Sequence, residues 1–126
     1  MILVVDDEAS IRELVRAILS HAGYEVIAAP DADEALRLME EGLRPVLLLT
    51  DIVMPRINGL ALAGRVHKEF PTVHILFMTG FASTFEEELS GSVVLKKPFT
   101  PAELLTAIAD LAGTPEVADS EDQILD

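Results

Sequence analysis

The chain has 126 residues, half of them hydrophobic, with nine basic against 22 acidic side chains and a net charge of −13. That length suits one domain burying roughly two thirds of its unfolded surface, while the acidic excess argues against direct contacts with nucleic-acid phosphates or an anionic membrane surface. With no cysteine there is neither a disulfide framework nor a thiolate metal site, and no apolar run has the length of a signal peptide or a membrane span, so a soluble, cytoplasmic protein is expected.

Residues 2–5, Ile-Leu-Val-Val, form an apolar run that stops at Asp6-Asp7-Glu8, the pattern of a short strand buried on both faces. A first strand at residue 2 fits either a native start or a domain cut from a longer protein. Ile11, Leu14, Val15, Ile18 and Leu19 then recur at helical spacing, which predicts a helix over Ala9–His21 closed by Gly23. An edge-like strand over residues 24–29 follows. Asp31 and Glu34 stand at capping-box spacing ahead of a helix that turns Ala32, Ala35, Leu36 and Met39 inward and stops at Gly42. Residues 46–49 are an unbroken apolar run and read as the central strand. It finishes at Thr50-Asp51, and Pro55 and Asn58-Gly59 are turn punctuation.

A third helix is predicted from residue 58 or 59 to about residue 70, with Leu62, Ala63, Val66 and Phe70 inward and Pro71 closing it. A strand over 75–78 ends in Thr79-Gly80. A short helix is then predicted from about residue 83 to residue 89, and a fifth strand over 93–95 runs into Lys96-Lys97-Pro98. Thr100, Pro101 and Glu103 supply a cap, a first-turn proline and a third-position acid for a last helix carrying Leu104, Leu105, Ile108 and Leu111. Residues 113–126 hold five acids and no base. They are expected to be a flexible acidic tail or linker stub, which divides the chain at 1–112 and 113–126. His21, His67 and His74 are scattered and lack metal-ligand spacing.

Five alternating β/α units predict a doubly wound α/β fold, a parallel sheet with helices on both faces. In such a sheet the four polar strand endings meet at one edge: a carboxylate pair, a carboxylate, a hydroxyl and an amine. Open α/β sheets hold their ligands at that edge. With these motifs in this order, the chain from about residue 2 to residue 111 resembles a response-regulator receiver domain, the phosphoacceptor module of two-component signalling. The resemblance implies a five-stranded, flavodoxin-like sheet in the order 2-1-3-4-5. That order sets strands one and three side by side, so Asp6, Asp7 and Asp51 are expected to converge.

Carboxylates in contact repel, each pair by about 4 kcal/mol in a medium of intermediate polarity, so such a cluster needs a proton or a cation. All-oxygen ligands on an open, hydrated face suit Mg²⁺. Helix capping ahead of Ala9 would explain one of Asp6 and Asp7, but not both together with Asp51. The resemblance implies that Asp51 takes a phosphoryl group as an acyl phosphate. It implies that Asp7 binds Mg²⁺ directly, that Asp6 does so directly or through water, and that Asp51 and the Val53 backbone carbonyl add further oxygens. Lys97 would pair with a phosphoryl oxygen, Thr79 would donate its hydroxyl, and Pro98 would form a cis-proline turn that aims the Lys97 amine inward. Lys96 would be solvated. The implied partners are a histidine kinase or phosphotransfer protein as phosphodonor and an unidentified downstream protein. Such a switch catalyses only its own phosphoryl transfer and dephosphorylation and is not a turnover enzyme.

Two features depart from the family pattern. Val94 stands three residues before Lys97, where the family usually carries an aromatic, and the span from Thr79 to Lys97 is short. Both features, with the Phe77-Met78-Thr79-Gly80-Phe81 run, resemble receivers on hybrid sensor kinases and certain stand-alone regulators. A β-branched side chain cannot swing as a ring does, so the signal is expected to emerge in residues 80–91, with Phe81 or Phe85 as the moving group. Two other function classes compete. A degenerate receiver acting as a phosphorylation-independent binding module is disfavoured by the intact set of Asp6, Asp7, Asp51, Thr79 and Lys97. A metal-dependent phosphohydrolase is disfavoured by Val53, which stands where that class carries a second acid.

Overall fold

Apolar runs with no polar alternation need cover on both sides, and a parallel sheet between two helical layers supplies it. In the computed structural model, which describes residues 1–80 and 84–115, every residue of β1 (Ile2–Val5) and β3 (Leu47–Asp51) is buried. The chain continues as α1 (Ala9–His21), β2 (Val26–Ala29), α2 (Ala32–Glu40), α3 (Gly59–Glu69), β4 (His74–Thr79), β5 (Val93–Lys96) and α4 (Pro101–Ala112). All strand pairs are parallel. Their order is β2-β1-β3-β4-β5, the doubly wound, flavodoxin-like sheet that the resemblance implied.

Successive side chains on a strand point to opposite faces, and the two cores divide accordingly. Leu3, Val5 and Leu48 pack with Ala35 and Met39 of α2 and Leu62 and Val66 of α3. On the other face, Ile2, Val4, Leu47 and Leu49 pack with Val15 and Leu19 of α1 and Leu104 and Ile108 of α4. Each buried leucine contributes about 1.5–3 kcal/mol, a reserve that tolerates an electrostatically costly strand end. Asp31 caps α2, its Oδ1 accepting from the Glu34 N–H at 2.8 Å. The Glu34 carboxylate turns to Arg37 instead of back to the cap, so that box is half formed. The box at α4 is complete, with Thr100 and Glu103 each accepting from the other's backbone N–H.

Where a fourth of five helices was expected, residues 84–91 form a run of turns. The Leu89 N–H reaches the Phe85 carbonyl at 2.9 Å, but the next bond, Ser90 to Glu87, already spans one residue fewer. A single helical turn does not propagate cheaply. Glu86, Glu87 and Glu88 are consecutive and exposed, and the left-handed backbone of Gly91, at φ 83°, ends the segment. What anchors it is apolar: Leu89 is buried with Ile52, Ala63 and Phe77, and Phe85 and Val94 pack partly against them. The expected helix start at Ser83, the expected moving group Phe81 and residues 116–126 of the expected tail lie outside the described residues. Among the described residues no helix is long and apolar enough to cross a membrane.

Two cooperative layers and one run of turns should exchange amide hydrogens differently. Residues 84–91 should exchange ahead of α1–α4 in hydrogen-exchange mass spectrometry, held mainly at Leu89. Protection there equal to that of α3 would contradict the turn assignment.

Candidate functional site

Asp6 follows β1 directly and is fully buried. Its backbone carbonyl accepts from the Arg12 guanidinium at 2.7 Å, and its Oδ1 accepts from the Glu8 N–H at 2.9 Å. Glu8 is the N-cap of α1 and makes no side-chain capping bond. Asp6 therefore does part of the capping work that the sequence left open, and its second oxygen remains for other use. Asp7 is exposed.

Asp51 ends β3 in the neighbouring strand, and Thr50 pairs with Val5 of β1 and Phe77 of β4. The Asp51 Oδ1 accepts from the Ile52 N–H at 2.8 Å. One oxygen from each of Asp6, Asp7 and Asp51 lies within 4.8 Å of the others, and among the described residues this is the one such group of acids and histidines. The three expected carboxylates do converge.

Lys97, the residue after β5, closes the site. Its amine lies 3.2 Å from Asp6 Oδ2 and 3.4 Å from Asp51 Oδ2, and the Lys97–Pro98 bond is cis, as the resemblance implied. Lys96 is exposed, as expected. Thr79 is buried at the end of β4, and its carbonyl accepts from the Lys97 N–H at 2.9 Å, which ties the two strand ends together. Val53 sits in the loop after β3 with its side chain exposed.

A single ammonium is thus shared between two carboxylates. Burial pushes the Asp51 carboxyl above its usual range; Lys97 opposes the rise and the Asp6 charge adds to it. Burial would lower the Lys97 amine, but Asp51 and Asp6 outweigh burial and hold it above its usual value. One positive charge does not neutralise this acidic cluster. The donor set, all carboxylate oxygen with two groups buried and one facing solvent, fits a hard, partly hydrated divalent cation.

Two residues of the site carry roles the sequence did not disclose. The sequence marks Gly59 as turn punctuation or the opening of a helix, yet a Cβ there would lie 2.0 Å from the Asp51 carbonyl oxygen. Its N–H donates to the Ile52 carbonyl at 2.8 Å, so α3 starts in direct contact with the end of β3. Arg56 adopts φ 66° and forms ion pairs with Asp31 and Asp33 at 3.2 and 2.9 Å, linking the loop after Asp51 to the start of α2.

A family model described as response regulator receiver domain matches residues 2–109. The chain is 32% identical over 121 residues to the alkaline phosphatase synthesis transcriptional regulatory protein PhoP of Bacillus subtilis, a match covering 93% of this chain and 50% of that protein. A 14.6 kDa protein from the sodA1 3′ region of Leptolyngbya boryana is 39% identical over 116 residues, covering 85% of this chain and 86% of that one. The chain spans about half the length of several curated relatives it matches. Among solved structures, the response regulator TrrA of Thermotoga maritima in complex with Mg²⁺-BeF superposes with a TM-score of 0.80 at 34% identity, covering 87% of this chain and 96% of that one.

The Gly59 contact distinguishes two glycines of one helix. Gly59→Ala must displace backbone and should lower stability by about 2 kcal/mol or more. A Cβ at Gly64 meets open space, so Gly64→Ala should stabilise by up to about 1 kcal/mol. Urea denaturation of both variants reads the difference. Equal midpoints would contradict the close approach.

Proposed function

The chain belongs to the response regulator receiver domain family, and from that premise we propose that it is a phosphorylation-dependent signalling switch with Asp51 as its phosphoacceptor. The observation that carries this reading is the gathering of Asp6, Asp7 and Asp51 within 4.8 Å of one another, with the Lys97 amine bonded across two of them. An assembled set of this kind argues against a phosphorylation-independent binding module.

In the proposed reaction a carboxylate oxygen of Asp51 attacks the phosphorus of a phosphohistidine on a histidine kinase or phosphotransfer protein. The new O–P bond forms as the P–N bond breaks, and the departing imidazole keeps the electron pair and takes up a proton from water. Asp7, exposed to solvent, would hold Mg²⁺ directly, with Asp51 and the Val53 carbonyl beside it and Asp6 acting directly or through water. When bound, the cation would offset charge on the carboxylates and on the phosphoryl oxygens.

The chain's own groups do the rest. Lys97, 3.4 Å from Asp51 Oδ2, is within reach of an oxygen on a phosphoryl group attached there. Thr79, buried at the next strand end, would donate its hydroxyl to another of the phosphoryl oxygens. A shift of Thr79 would be felt in residues 80–91, where Phe85 is the described group placed to repack against Ile52, Phe77 and Leu89. The downstream partner would be a protein that reads this change, in the cytoplasm where such kinases present their phosphohistidine. Relatives named as transcriptional regulators are about twice the length of this chain, so any contact with DNA would belong to segments this chain does not span.

Incubation with acetyl phosphate and Mg²⁺ should add one phosphoryl group by intact-mass measurement. EDTA should suppress the addition and Asp51→Asn should abolish it. An undiminished mass shift in Asp51→Asn would remove Asp51 from the role.

A further inference from the structure

Thr50 interrupts an otherwise apolar strand at its last interior position and is fully buried. A buried hydroxyl costs stability unless it is hydrogen-bonded, so its partner is informative. Oγ1 donates to the carbonyl oxygen of the next residue, Asp51, at 2.8 Å.

The same peptide unit, Asp51 to Ile52, carries the N–H that donates to Asp51 Oδ1 at 2.8 Å. One plane is therefore gripped at its oxygen by Thr50, while its nitrogen holds the carboxylate of the proposed nucleophile. Gly59 closes on that same oxygen from α3, where even a methyl group would collide. With Oδ1 held, Oδ2 faces Lys97 at 3.4 Å. The last torsion of an aspartate is soft, with broad wells, so a fixed N–H donor is what selects one orientation of the carboxylate. If the plane rotates, the donor leaves Oδ1 and that selection is lost.

We propose that Thr50 is a positioning residue for phosphoryl transfer: its hydroxyl fixes the Asp51–Ile52 peptide, and the peptide N–H fixes the Asp51 carboxylate. Thr50 acts wholly through the backbone. The proposal rests on the reading of Asp51 as the phosphoacceptor and adds to it the device that aims the acceptor oxygen. Small errors of aim at a reacting atom cost rate out of proportion to their effect on stability.

The test compares wild type with Thr50→Val, which keeps the branch, Thr50→Ala, which leaves room, and Thr50→Ser, which keeps the hydroxyl. With acetyl phosphate at saturating Mg²⁺, the valine and alanine variants should be phosphorylated about fivefold more slowly, the rate equivalent of one hydrogen bond. Thr50→Ser should restore the rate. In ¹H–¹⁵N spectra the Ile52 amide should be downfield and protected in wild type and Thr50→Ser, and should lose both features in Thr50→Val, Thr50→Ala and Asp51→Ala. A wild-type rate in the valine and alanine variants would overturn the proposal, and so would a serine variant as slow as alanine. If neither apolar variant folds, the wild-type spectrum still decides: an unprotected Ile52 amide in the folded protein overturns it. Absence of phosphoryl uptake in wild type, or full uptake in Asp51→Asn, is a different failure. It sinks the phosphoacceptor reading and takes this proposal with it.

Discussion

Carboxylates held as close as Asp6 and Asp51 repel by up to about 4 kcal/mol at an intermediate dielectric, and both are buried at the ends of adjacent strands. A third acid, Asp7, joins them within 4.8 Å. Nothing in the apolar packing of the sheet requires this. The strands force it, because β1 and β3 are neighbours and both finish in acid. Lys97 relieves part of the conflict by bonding Asp6 and approaching Asp51, yet the Asp51 carboxyl still sits above its usual range because of burial and the Asp6 charge. The site therefore retains an attraction for a further cation, and the receiver reading follows from that residual charge together with the fold.

Rigid backbone holds the cluster against its own repulsion. Arg12 fixes the Asp6 carbonyl and the Glu8 N–H fixes one Asp6 oxygen. At Asp51 the corresponding supports are the Ile52 N–H, the Thr50 hydroxyl and the close approach of Gly59. Each carboxylate thus spends one oxygen on the scaffold and turns the other toward Lys97. Below them, the fully buried side chains of Leu47, Leu48 and Leu49 supply the favourable burial that offsets the cost above. Stability lives in the strand interiors, and chemistry lives at their ends.

Asp6, Asp51 and Lys97 are legible in the sequence because each ends an apolar run, and a parallel sheet carries every such ending to one edge. The sheet order is not legible from periodicity alone; it came from the family resemblance and agrees with the observed pairing. Gly59 is visible only as a turn residue or helix start, since its contact with the Asp51 carbonyl arises when the loop folds back across the strand. Thr50 reads as one more strand residue until its partner is known. Asp6 shows why the capping and site readings need not compete: one oxygen does each job. The segment between β4 and β5 misleads because a few apolar residues at helical spacing suggest a turn of helix. Three adjacent acids and Gly91 then keep that turn from growing.

On the proposed reading, the residual negative charge at Asp6, Asp7 and Asp51 binds a divalent cation at that point and not elsewhere on an acidic protein. Titration with Mn²⁺, a paramagnetic stand-in for Mg²⁺, followed by ¹H–¹⁵N spectra, tests it directly. Amide signals of residues 6–8, 51–54 and 97 should broaden at the lowest Mn²⁺ and recover when excess Mg²⁺ competes. Broadening that begins at Asp31 and Asp33 or in residues 116–126, while residues 6–8 and 51–54 stay sharp, would contradict the account.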